Sequence, residues 1–120
     1  MADFRERFEA YGGDYEATMG RFMGNEALYR RLLPMLFEDD SFSKLKAALI
    51  AGDLEGAFQA AHTLKGVTGN LGLTPLYAAI CQIVEPLRRR DPDADYPAMS
   101  QAIADEFDKV ARLRRQLEEG

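Results

Sequence analysis

Ala61-His62-Thr63-Leu64-Lys65-Gly66-Val67-Thr68-Gly69-Asn70-Leu71-Gly72-Leu73-Thr74-Pro75-Leu76, residues 61–76, reads as the end of one helix, a tight corner and the start of the next. Leading into and through this stretch, Leu54, Ala57, Ala61, Leu64, Thr68 and Leu71 recur at steps of three and four residues, which places them on one face of an α-helix. Gly72 supplies a stop, Thr74 a cap and Pro75 the favoured first helical position, so that Leu76, Ile80, Ile83 and Leu87 become the inward face of a second helix. A corner this short forces an antiparallel hairpin.

The same periodicity extends in both directions, and no strand-type alternation interrupts it. Phe4, Phe8 and Tyr11 mark a short helix stopped by Gly12-Gly13, and Asp14 caps another carrying Tyr15, Met19 and Phe22. After Gly24-Asn25, the residues Leu28, Leu32, Leu36 and Phe37 define a helix to about residue 37, with a kink expected at Pro34. Asp39, Asp40 or Ser41 can cap a helix whose inward residues are Phe42, Leu45, Leu49 and Ile50; Gly52 closes it and Asp53 caps the next. The polar run Asp91-Pro92-Asp93-Ala94-Asp95 leads to a last helix bearing Met99, Ile103, Phe107, Val110, Leu113 and Leu117. Pro86 is expected to kink the helix it interrupts, and Cys81 is expected in the core. The expected fold is all-α: one domain over residues 1–120, with an N-terminal extension and short helix at 1–13 and an antiparallel four-helix bundle within 14–118.

A chain of 120 residues can bury roughly two-thirds of its unfolded surface, enough for a core without metal or disulfide. Its net charge of −5 repels a phosphate backbone and argues against nucleic acid as the main partner. The clusters Arg88-Arg89-Arg90 and Arg112, Arg114, Arg115 fall near expected helix C-termini, where cations meet the negative end of the helix dipole. A lone cysteine fits a reducing compartment, no apolar run approaches a bilayer's thickness, and Met1 is followed by Ala-Asp-Phe-Arg-Glu in place of a signal sequence, so a cytoplasmic location is expected.

His62 is the only histidine. At spacings of three, four and seven residues, Lys65, Gly66 and Gly69 share its side of the helix, while the apolar stripe lies on another, so the imidazole is expected to face outward. A glycine inside a helix costs about 1 kcal/mol relative to alanine. Gly66 therefore needs a reason, either close packing of a neighbouring helix or clearance for a partner approaching His62. Glu55, Phe58 and Gln59 fall on the same face, Phe58 serving either as a docking contact or as filler of a groove beside its own helix.

Ala61-His62-Thr63-Leu64-Lys65-Gly66, continued by Asn70-Leu71-Gly72 and preceded by Gly52-Asp53, resembles the signature of the histidine-containing phosphotransfer domains of bacterial and fungal phosphorelays, and the resemblance runs from about Tyr15 to the final helix. The resemblance implies that His62 accepts a phosphoryl group from a receiver aspartyl phosphate and passes it to another receiver aspartate. Its partners would be response-regulator receiver domains or a hybrid histidine kinase, with no nucleic acid or membrane, and the chain would be a monomer. A solvent-exposed imidazole is largely uncharged at neutral pH and nucleophilic without a dedicated base. Lys65 would offset some of the roughly two negative charges a phosphoryl group brings, and Phe58, Gln59 and Gly69 would line the docking face. Many members also carry a Gln or Glu on the following helix that hydrogen-bonds the other ring nitrogen; the register puts Val84 there, with Gln82 and Glu85 close by, and Gln82 is the candidate. Without a phosphate-binding glycine loop the chain should not bind ATP. No cofactor is expected on this chain, the Mg²⁺ being supplied by the receiver. One histidine is too few for a bundle metal or haem site, and no Ser or Cys pairs with it as a hydrolase triad would require. The remaining rival is an adaptor that binds receivers without accepting phosphate.

Overall fold

The computed structural model describes residues 3–119, which contain helices and no strand. In chain order the helices are α1 (Phe4–Tyr11), α2 (Tyr15–Arg21), α3 (Glu26–Leu32), α4 (Met35–Glu38), α5 (Ser41–Ala51), α6 (Leu54–Asn70), α7 (Thr74–Arg88) and α8 (Tyr96–Glu119). Helices α5 to α8 pack in succession, α5 on α6, α6 on α7 and α7 on α8. The circuit closes through Phe42 of α5, stacked on Phe107 of α8 with ring centroids 5.0 Å apart. The inward residues of each helix, among them Leu45, Ala57, Ala61, Leu64, Ile80, Ile83, Ile103 and Val110, are buried together as one core. The fold expected from the sequence, an all-α bundle preceded by short helices, is the fold observed.

The N-terminal helices close one end of the bundle. Phe4, Phe8 and Phe22 all meet Tyr29 edge-on, with centroids 5.3 to 5.6 Å away, the arrangement favoured by aromatic quadrupoles. Tyr29 is fully buried, and its hydroxyl donates to the Leu71 carbonyl at 2.6 Å, satisfying a backbone acceptor where α6 ends. Burial holds that phenol well above its ordinary pKa, so it stays a donor. A second tie links the backbone N–H of Leu76 to the Tyr11 hydroxyl at 3.3 Å. Arg30 donates to the Leu117 carbonyl at 3.0 Å and lies over the Phe4 ring, fastening the same cap to the end of α8.

The structure differs from the sequence reading at several points. The helix expected to run through Pro34 with a kink is two helices, α3 and α4. Proline has no N–H to continue the ladder, and the following bonds tighten to three-residue spans, Leu36 N–H to Leu33 carbonyl and Phe37 N–H to Pro34 carbonyl. Pro86, by contrast, lies buried inside α7 without ending it. Thr74 is the first helical residue and makes no capping hydrogen bond; Leu73 occupies the cap position. Ile50 is 89% exposed and not inward, while Leu45 holds the core contact of α5. Cys81 is half-buried and not a core residue.

Candidate functional site

Helix α6 carries the site and is fixed at both ends. The Asp53 carboxylate accepts from Gly56 N–H at 2.9 Å, an N-cap that satisfies one orphan donor of the first turn. At the other end Gly72 turns the chain with φ of +66°, a left-handed conformation that glycine adopts without penalty. Between the ends, Ala57, Ala60, Ala61, Leu64 and Thr68 are buried; Thr68 hides its hydroxyl by donating to the Leu64 carbonyl at 2.8 Å. With that face committed to the core, His62 stands exposed on the other side.

His62, Lys65, Gly66, Gly69, Asn70, Tyr77 and Arg21 line a shallow groove of about 480 Å³. Three of these carry basic nitrogens and none carries a carboxylate, in a chain whose net charge is −5. The groove is thus an electropositive spot on an acidic protein, suited to an anion. Lys65 is half-buried one turn from His62. A Cβ on Gly66 would meet nothing within 4 Å among the described residues, so no neighbouring helix explains that glycine. Gly69 differs: its Cβ would stand 3.1 Å from the Tyr77 ring, so it serves the contact between α6 and α7 as well as lining the groove.

Helices α6 and α7 run antiparallel. Gly69 meets Tyr77 near the corner and Phe58 lies under Arg88 farther along, equal spans of eleven residues on the two helices. That register sets Val84, fully buried, across from His62. Gln82 is exposed and absent from the groove lining, and among the described residues neither it nor any other side chain hydrogen-bonds the His62 ring. Glu85 pairs with Arg88 at 3.5 Å. The His62 ring instead stacks on Phe58, with centroids 5.8 Å apart and planes 25° from parallel. Gln59 is exposed, and its backbone carbonyl accepts from the Thr63 hydroxyl at 3.1 Å. Glu55, also exposed, lies 3.8 Å from Arg90.

Sequence reasoning missed Arg21. Its Nε donates to the Asn70 carbonyl and its Nη2 to the Gly69 carbonyl, both at 3.1 Å, so a cation from α2 caps the C-terminal end of α6 and borders the groove. Forty-odd residues separate it from its acceptors, and helical spacing carries no signal across that distance. Tyr77 was signalled only indirectly, by the glycine it packs against.

No group of His, Cys, Asp or Glu among the described residues is arranged to hold a metal ion, and no described helix is long and apolar enough to cross a membrane. The sequence matches the family model described as Hpt domain over residues 35–119, which begins later than Tyr15, where the resemblance in the sequence starts. Among curated proteins and among solved structures no match is found.

Proposed function

Because the chain belongs to the Hpt domain family, whose members carry out phosphotransfer in phosphorelays through receiver domains and kinases, we propose that His62 is its phosphoryl-accepting residue. A ring nitrogen of the neutral imidazole attacks the phosphorus of a receiver aspartyl phosphate; the N–P bond forms as the acyl O–P bond breaks, and the receiver carboxylate leaves. The second transfer reverses these bonds on another receiver aspartate. What supports this reading most is the exposed imidazole in a carboxylate-free groove beside a glycine whose missing side chain nothing among the described residues fills.

Transfer through a loose transition state, with charge spread over the phosphoryl oxygens, depends on positioning and nearby positive charge more than on covalent help. Lys65 is assigned to that charge and Gly66 to clearance for the receiver. Arg21 adds a second cation at the groove margin. Phe58, Gln59 and Gly69 border the docking face. The divalent ion belongs to the receiver, and this chain contributes neither nucleotide nor metal binding.

The test is incubation with phosphorylated receivers and detection of acid-labile label on the chain, comparing wild type with His62→Gln. Wild type should take label and the variant none. Label persisting in the variant would move the site elsewhere, and receiver binding without label on wild type would establish a non-phosphorylated adaptor.

A further inference from the structure

An exposed histidine is free to sample several rotamers on the picosecond to nanosecond scale, whereas in-line transfer requires one ring nitrogen to face the incoming phosphorus. Something must narrow that choice. A hydrogen bond from α7 does not: the residue across from His62 is the buried Val84, and the ring has no hydrogen-bond partner among the described residues. Glu85, one residue on, spends its carboxylate on Arg88.

The contacts that the ring does make form a chain. Side chains on a helix lean toward its N-terminus, so the His62 imidazole leans back over the residue one turn earlier, which is Phe58. The two rings stack at 5.8 Å, within the range of favourable offset aromatic pairs. Phe58 is half-buried, and the Arg88 guanidinium lies over its ring, 5.3 Å from Cζ to the centroid. Arg88 is steadied in turn by Glu85 at 3.5 Å. An ion pair on α7 thus grips an aromatic ring on α6, and that ring supports the imidazole.

Building on the phosphotransfer reading, we infer that Phe58 is the positioning residue for His62: stacking on Phe58, which Arg88 holds from α7, orients the imidazole in place of a hydrogen bond. Phe58 acts through His62 and does not itself touch the phosphoryl group. With one histidine in the chain, the imidazole resonances can be assigned in a single NMR spectrum. The experiment compares these resonances, and kcat and KM for transfer from a phosphorylated receiver, in wild type, Phe58→Leu, Phe58→Tyr and Arg88→Gln. Phe58→Leu should displace the His62 ring resonances and lower kcat about threefold to tenfold, the range that the loss of one aromatic pair implies. Phe58→Tyr should restore both, and Arg88→Gln should move both in the same direction by less. If Phe58→Leu fails to fold, Arg88→Gln carries the comparison, since it leaves the Phe58 ring in place. Unmoved resonances, or a raised KM at unchanged kcat, would overturn the inference and leave Phe58 a docking contact only. A wild type that takes no label would remove the phosphotransfer reading instead, with the resonance shift in Arg88→Gln, which keeps the Phe58 ring and its ring current, still deciding whether the clasped Phe58 orients the imidazole.

Discussion

Gly66 and Gly72 stand six residues apart and serve opposite ends. Beside Gly66 the space for a Cβ is open to solvent, next to an exposed imidazole; at Gly72 the same space is filled by the Thr18 side chain, and the backbone is left-handed at φ of +66°. On the proposed function, one glycine keeps a surface clear for something outside the molecule. The other lets the N-terminal cap close against the corner between α6 and α7. Composition treats the two alike, and only the surroundings tell a functional glycine from a structural one.

The contrast breaks most readily at Gly72. Gly72→Ala combines a left-handed backbone penalty of about 1–2 kcal/mol with overpacking against Thr18 of about 1–3 kcal/mol, and thermal unfolding should show a Tm lowered by roughly 10 °C. A Tm unchanged from wild type would mean that the cap does not depend on that close approach. At Gly66 the expected signs reverse. Gly66→Ala should raise stability by up to about 1 kcal/mol in denaturant melts, because alanine is the better helix former and nothing obstructs its methyl group. Gly66→Leu should keep the fold while slowing transfer from a phosphorylated receiver by about tenfold or more, equivalent to roughly 1.4 kcal/mol of steric exclusion at the docked complex. Equal transfer rates would leave this glycine unexplained by partner clearance.

Two smaller effects sharpen the same division. Tyr29→Phe removes the donor to the Leu71 carbonyl while preserving the aromatic cluster, and should cost about 1–2 kcal/mol in equilibrium unfolding with transfer unaffected. Lys65→Ala should do the converse, lowering the transfer rate about threefold, as for a partly screened charge, with no loss of Tm. Crossed results, with Tyr29→Phe slowing transfer or Lys65→Ala unfolding the protein, would show that cap and groove are not separable.

The helical hairpin around the site was legible because its signals are local. A three-and-four spacing marked the buried face of α6, Gly72 and Pro75 marked the corner, and the outward placement of His62 followed by exclusion from the apolar stripe. Readings that depended on a second element fared differently. Ile50 fits the apolar period of α5 yet projects beyond its last core contact, and Pro34 splits a helix where periodicity continues without interruption. Cys81 lies between the core and the rim of α7, a distinction finer than periodicity resolves. Arg21 was invisible because its acceptors are backbone carbonyls nearly fifty residues away, and carbonyls have no sequence identity. The stack of Phe58 on His62 could have been anticipated from four-residue spacing, but its grip by Arg88 required the register between two helices.

The aromatic cap lies wholly upstream of residue 35, where the family match begins. A fragment trimmed to those limits would retain His62, Lys65 and Gly66 but lose Tyr29, Tyr11 and Arg21, removing the side-chain partners of the Asn70 and Leu71 carbonyls and of the Leu76 N–H. Excision by homology would therefore yield a piece that keeps His62 and lacks the plug that keeps the end of its helix wound.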